Sequence, residues 1–216
     1  MPFNYACFIS YRHGQRALVE RIINDLSDAL SSEIELWMRE QVYVDRERLR
    51  GGDHYNEDLA AALCQSVCMI VVFTPRYFDK KSTFCAREYR AMESLEEQRL
   101  KLLPHAEDRR RGLIIPIVFR GSEYLPDEIR NRRQYYDFGD FLLSDEQISK
   151  HPSYAGKIRE IAEYIKARHE AFRRVQSDPC TSCDSFSLPS DEDIRVWLDD
   201  VCSAPATQFV MRGNAE

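Results

Sequence analysis

The sequence predicts an α/β domain of flavodoxin-like, three-layer form: a five-stranded parallel sheet in order 2-1-3-4-5 with helices on both faces. Three observations predict it. Short apolar runs rich in β-formers alternate with longer segments of helical period as far as Phe172. Two of those runs, residues 67–73 (VCMIVVF) and 113–119 (LIIPIVF), are continuously apolar, as strands covered on both faces must be. Helical segments separate successive strands, which demands right-handed crossovers and therefore parallel pairing.

Residues 4–10 (NYACFIS) form the first strand, ending at Ser10. Residues 16–30 carry Leu18, Ile22, Leu26, Ala29 and Leu30 at a helical period. Residues 41–45 (QVYVD) read as the second strand, and the polar loop Arg46–Asp53 contains Gly51-Gly52, which permit a turn. Asp53 caps a helix reaching to near Gln65, with Tyr55, Leu59 and Leu63 on one side. The third strand, residues 67–73, leads through Pro75 to a helix capped by Ser82 or Thr83 and ending near Leu103. Pro104 to Gly112 is a polar connection. The fourth strand, residues 113–119, contains Pro116, which suggests an edge position or a bulge. Residues 134–138 (QYYDF) form a weaker fifth strand. The helix 154–172 presents Ile158, Ile161, Ala162, Ile165 and Phe172 on one face. Ligands of such sheets bind at the carboxyl ends of the strands, near the switch in strand order. Interest therefore falls on the loops after Ser10, Asp45 and Thr74.

The domain is expected to span residues 1–174. Residues 175–216 differ in character: Ser177 to Pro189 is a linker rich in Ser, Asp, Pro and Cys. Ser190, with Asp193 three residues on, opens a short acidic amphipathic helix with Ile194, Trp197, Leu198 and Val201 on one face. That helix either folds back on the domain or docks a partner.

Composition narrows the function. The chain of 216 residues suffices for one well-packed domain, and 44% hydrophobic with 31% charged residues is ordinary for a globular protein. A formal net charge of -6 argues against nucleic acid as the main partner. The basic clusters Arg109-Arg110-Arg111 and Arg130, Arg132, Arg133 read as solvated loop charges. No apolar run approaches the length of about 20 residues that spans a bilayer. Structure begins at once at Phe3, so no secretory signal is expected. The seven cysteines lack disulfide-framework spacing, and Cys7, Cys64, Cys68 and Cys85 read as small buried hydrophobes. These features favour a reducing cytoplasm. Cys180-x-x-Cys183 has no second pair at a finger-like spacing and lies in the linker, so neither a metal site nor redox chemistry is expected of it.

The five histidines are scattered, and no Ser/His/Asp or Cys/His arrangement follows from their spacing. No phosphate-binding glycine loop is present. Glu88 is more informative. It falls on the flank of an apolar stripe formed by Cys85, Tyr89, Met92 and Leu103, half turned toward the sheet. A surface glutamate on a charged helix is the simpler reading, and Glu96 falls near the same face.

Three ordered segments resemble the Toll/interleukin-1 receptor (TIR) family over roughly residues 3–172. Tyr5-Ala6-Cys7-Phe8-Ile9-Ser10-Tyr11-Arg12 resembles the family's opening strand, which ends in Ser-Tyr-Arg. Val42-Tyr43-Val44-Asp45 with Leu49-Arg50-Gly51-Gly52-Asp53 resembles its second strand and BB loop. Phe84-Cys85-Ala86-Arg87-Glu88 resembles the aromatic-Cys-x-x-Glu start of its third helix, with Phe84 where Trp is common. Residues 66–77 (SVCMIVVFTPRY) fit the strand and loop expected before that helix.

The resemblance implies one of two functions. The first, after the NAD-cleaving TIR proteins of bacterial defence, is an NAD⁺ glycohydrolase or cyclase giving nicotinamide and ADP-ribose or a cyclic isomer, in immune or antiphage signalling. Glu88 would be catalytic, with Tyr11, Arg12, Tyr43 and Phe84 around the substrate; NAD⁺ would be substrate, with no cofactor and no metal. The second is a non-catalytic interaction module assembling through its BB loop. In either case the resemblance implies self-association through Arg46, Leu49, Gly51, Gly52 and Asp53, with a downstream effector or further domain as partner, while charge and hydropathy leave nucleic acid and membrane unexpected as partners. A response-regulator receiver shares the sheet order but needs clustered acidic residues after the first strand, which Ser10-Tyr11-Arg12 do not supply.

Overall fold

The computed structural model describes residues 3–13, 17–45, 55–142, 148, 151–181 and 183–203. The apolar runs become β1 (Tyr5–Tyr11), β2 (Gln41–Val44), β3 (Ser66–Phe73), β4 (Ile114–Val118) and β5 (Tyr136–Asp137). Between and after them lie α1 (Ala17–Glu35), α2 (Tyr55–Cys64), α3 (Phe84–Leu100), α4 (Ala106–Arg109), α5 (Asp127–Arg132), α6 (Pro152–Arg173) and α7 (Asp191–Ser203). The strands form one sheet in the order β2-β1-β3-β4-β5, and every pair is parallel. This is the predicted flavodoxin-like order. Helices α1 and α6 pack together over one face, and α2 and α3 over the other. β3 lies between β1 and β4 beneath both layers, so all eight of its residues are buried and its sequence has no polar alternation.

Several local expectations change. Pro116 sits in an interior strand rather than at an edge: Val71 is its partner in β3, while β5 first pairs one residue later, at Ile117. The neighbouring carbonyls show why the sheet tolerates it. Leu113 O accepts from Met69 of β3, whereas Val118 O accepts from Phe138 on the β5 side. Even-numbered residues of β4 thus face β5, and Pro116 directs its hydrogen-less nitrogen to a place where β5 has not begun. Thr83 occupies the N-cap position of α3 but has helical backbone (φ -81°, ψ -6°) and makes no capping bond. Its hydroxyl donates to Asp191 of α7 instead. The polar connection after Pro104 contains the short helix α4. Arg133, expected in solvent, is nearly buried between Glu93 (3.6 Å) and Glu96 (2.8 Å).

The cysteine reading also changes. Cys64 is buried, but it forms a disulfide with Cys183, 119 residues away. Spacing could not suggest this pair, because the fold alone brings the end of α2 to the linker. The bond removes the cysteine pattern as an argument for a reducing compartment.

The tail folds back on the domain. Asp193 N–H donates to Ser190 Oγ (3.2 Å), the expected cap. Ile194 and Leu198 are buried. Trp197 stacks on Tyr89 at 6.0 Å and meets Phe78 edge-on at 5.6 Å, with the Arg90 guanidinium 5.3 Å from its ring. Arg87 Nε donates to Pro189 O (2.7 Å) ahead of the helix. α7 is therefore packed along α3. Among the described residues, no helix is long and apolar enough to cross a membrane.

Candidate functional site

The site grows from the alternation of β1. Side chains two residues apart on a strand share a face, so Phe8 and Ser10 point the same way. The parallel register sets Phe8 beside Tyr43 of β2. Their rings stack at 5.2 Å, and Tyr5 meets Tyr43 edge-on at 5.0 Å. Burial pushes the Tyr43 phenol up to about 12, with the carboxylates of Asp45, Asp58 and Glu88 acting in the same direction. Tyr43 thus remains a neutral hydroxyl at physiological pH.

Over this face lies α3, with Cys85, Glu88, Tyr89, Met92 and Leu95 buried at helical spacing. Glu88 has 0% of its surface exposed. It was expected on the flank of the stripe and is instead wholly inside. A hydroxyl pair makes that possible, because a buried carboxylate needs donors. Ser10 Oγ donates to Glu88 Oε2, and the Tyr77 hydroxyl lies 2.7 Å from the same Oγ. With the single serine proton directed to Glu88, Tyr77 is the donor to Ser10. Glu88 is thereby held at the carboxyl end of β1, where the strand order switches and such sheets bind ligands.

Two other glutamates of α3 are buried, and their partners distinguish them. Glu93 pairs with Arg90 and Arg133. Glu96 pairs with Arg133 and accepts from the backbone N–H groups of Leu113 and Ile114. Those two fasten α3 to the start of β4 and the end of α5. Glu88 faces hydroxyls at the opposite, carboxyl edge of the sheet.

The remaining candidates border the same edge. The Tyr11 hydroxyl donates to Asp45 O (3.2 Å), and its ring stacks on His13 at 4.3 Å. His13 Nε2 lies 3.7 Å from Asp45 Oδ2. Arg12 reaches Asp79 (3.2 Å) and the carbonyl of Ser82 (3.3 Å), joining the exit of β1 to the segment before α3. Phe84 is half-buried, with the Arg87 guanidinium 5.7 Å from its ring. Glu88 and Tyr43 thus share one face of the sheet, while Tyr11, Arg12 and Phe84 flank it with contacts of their own. Arg46, Leu49, Gly51, Gly52 and Asp53 lie outside the described residues. A 930 Å³ groove lined by Gly112, Arg133, Tyr136 and Tyr164 belongs to the other, amino end of β4 and β5 and is remote from this chemistry.

Sequence reasoning passed over Ser10, Tyr77 and Asp79 as functional residues. Ser10 had a usable signal, as a small polar side chain near the end of a largely apolar strand and in step with Phe8. Tyr77 and Asp79 had none, since only the fold of the loop before α3 brings them to β1.

The fold and this edge define a flavodoxin-like α/β domain with a buried carboxylate at its topological switch point. The TIR domain family profile matches residues 7–150, two thirds of the chain, and the chain belongs to the TIR domain family. A search of the curated proteins finds no match.

Proposed function

We propose that the protein is an NAD⁺ glycohydrolase or cyclase of the cytoplasm, with Glu88 as its catalytic residue and NAD⁺ as substrate. The observation that carries the reading is the Glu88 carboxylate, at the carboxyl edge of the sheet, held by Ser10 within the Ser10–Tyr77 hydroxyl pair and on the same sheet face as Tyr43. Family membership supports it, because the TIR family includes NAD-cleaving members.

The chemistry suits this set of residues. NAD⁺ carries a cationic nicotinamide on C1′ of a ribose. Breaking that bond releases neutral nicotinamide, so the leaving group needs no general acid. Positive charge develops on the ribose as an oxocarbenium-like transition state forms. A carboxylate beside the ribose binds its hydroxyls and stabilises that charge. The Ser10 hydroxyl, itself fixed by the Tyr77 donor, keeps the carboxylate in one orientation, so little reorganisation is needed as charge appears. Tyr43 and Phe84 offer aromatic surface to the ring, and Arg12 suits phosphate or ribose oxygens. Water or an adenine nitrogen then takes the C1′ position, giving ADP-ribose or its cyclic isomer. Since Glu88 has no exposed surface, turnover requires its cover to move.

That same burial favours a second reading, a TIR interaction module in which Glu88 only ties α3 to β1. One experiment separates the two. Concentrated protein is incubated with NAD⁺ and the products are resolved by chromatography and mass spectrometry. The enzyme reading expects nicotinamide release by the wild type and a fall of roughly a hundredfold or more in Glu88→Gln, with an unchanged circular dichroism spectrum. Equal turnover by the pure variant would refute the assignment of Glu88. Absence of turnover by the wild type at any concentration would favour the module.

A further inference from the structure

Two sulfur atoms, one of them bonded to a third, meet one buried cation on the far side of α3. Arg99 is 1% exposed, and among the described residues no carboxylate pairs with it. Its guanidinium donates to the carbonyls of Cys64, Ser66 (2.9 Å) and Pro179 (3.3 Å). The same nitrogen, Nη2, lies 3.8 Å from Cys64 Sγ and 3.8 Å from Cys180 Sγ. Cys64 is bonded to Cys183, while Cys180 is a free thiol. A turn from Cys180 O to Cys183 N (3.0 Å) holds the two linker cysteines close.

We propose that Cys64, Cys180 and Cys183 form a thiol–disulfide exchange site in which Cys180 displaces Cys64 from Cys183, with Arg99 as the cation shared by the attacking and leaving sulfurs. The Cys180 thiolate attacks Cys183 Sγ. The Cys180–Cys183 bond forms, the Cys64–Cys183 bond breaks, and Cys64 leaves as a thiolate that takes up the proton Cys180 gave up. The step is an isomerisation, so no external oxidant or reductant enters and no access from solvent is needed. Arg99 decides its direction. A leaving sulfur departs faster when its thiolate is stabilised, and the guanidinium touches Cys64. Attack at Cys64 instead would expel Cys183, for which the structure offers no such contact. A positive group among the three sulfurs also disfavours a metal ion there, and no set of three or more metal-ligating side chains is found among the described residues.

Exchange changes how the tail is held. In the observed state the linker is tied covalently to the end of α2, and α7 follows it along α3. After exchange the linker disulfide is internal, and α7 keeps only its non-covalent contacts. The charged groups facing Cys180 are Arg99 of α3 and Asp178 of its own segment. Burial pushes the Cys180 thiol up to about 11, against the pull of Arg99. The reactive thiolate is therefore scarce at neutral pH, and the exchange rate should climb about tenfold per pH unit through the neutral range.

The test is disulfide mapping of the full chain by acid quench, alkylation and tryptic mass spectrometry after incubation at several pH values. Two products are expected to interconvert: peptide 51–76 linked to peptide 175–195, and peptide 175–195 with an internal disulfide. Growth of the second should accompany a red shift of Trp197 emission and faster proteolysis between residues 175 and 190. Cys180→Ser should retain only the first at every pH. Arg99→Lys, which keeps a charge but not the shared geometry, should slow exchange at least about tenfold. The proposal is overturned if the wild type shows only the Cys64–Cys183 link throughout, if Cys64–Cys180 accumulates instead, or if all three cysteines stay reduced in a disulfide-containing glutathione buffer.

Discussion

Asp79 shows how much of the candidate site rests on single side chains outside the family motifs. Its carboxylate accepts from the N–H of Lys81 (2.9 Å) and meets Arg12 (3.2 Å) and Arg76 (3.3 Å). The Lys81 N–H, with Arg76 and Arg12, outweighs burial and holds the carboxyl below its ordinary value of 3.8. A depressed folded-state pKa contributes stability above the unfolded value, which is lost as pH falls through the folded one. Asp79→Asn should therefore destabilise the protein at pH 7 by up to about 1 kcal/mol, the limit for a group that solvent still screens. The gap to wild type should close as pH drops below 3.8. Denaturant melts of both proteins at neutral and acidic pH check this, and a gap that persists undiminished in acid would contradict it.

Helix α7 and its linker behave as a strap laid across α2 and α3. The apolar face of α7, written in the sequence as Ile194, Trp197 and Leu198, closes over Tyr89 and Phe78. The Cys64–Cys183 bond closes a loop with a sequence separation of 119, which chain entropy values at about 5 kcal/mol. Yet β1 to β5 and the helices α1, α2, α3 and α6 that sandwich them all lie before residue 175. A chain ending at Arg174 should thus still unfold cooperatively, with a Tm lower by about 10 °C or more. Scanning calorimetry decides the matter: a broad, non-cooperative melt would make the strap part of the core.

At the scale of the whole molecule, a carboxylate with no exposed surface poses the question of what opens the site. β2 ends at the same carboxyl edge of the sheet as Glu88, and the segment Arg46–Asp53, which follows it in the sequence, lies outside the described residues. Fixing a backbone that carries two glycines costs entropy. A neighbouring copy packed against it would offset that cost. The proposed enzyme should then act as an assembly, with specific activity falling steeply over a roughly hundredfold dilution. Leu49→Asp should lower association and turnover together while leaving the Tm of the monomer nearly unchanged. Constant specific activity with a monomeric light-scattering mass throughout would count against assembly.

The order of the strands could be read directly because it rests on local pattern, whereas Glu88 became the catalytic candidate through its match to the family's aromatic-Cys-x-x-Glu motif. Apolar runs and helical periods set the elements, and parallel crossovers leave few ways to join them. The sequence alone thus determined the flavodoxin-like sheet, the helix carrying Glu88 and the cap of α7, while the stacking of Tyr43 on Phe8 came from the tertiary structure. Tertiary structure decided the rest. It turned Glu88 from a flank position to full burial, because Ser10 and Tyr77 meet only when the loop before α3 folds over β1. It told Glu88 from Glu96, which have the same spacing on the helix but hydroxyl partners in one case and Arg133 in the other. It joined Cys64 to Cys183, and it laid the tail on α3. Each of these depends on groups far apart in the chain, and local periodicity carries no information about which distant partner will satisfy a buried charge or sulfur.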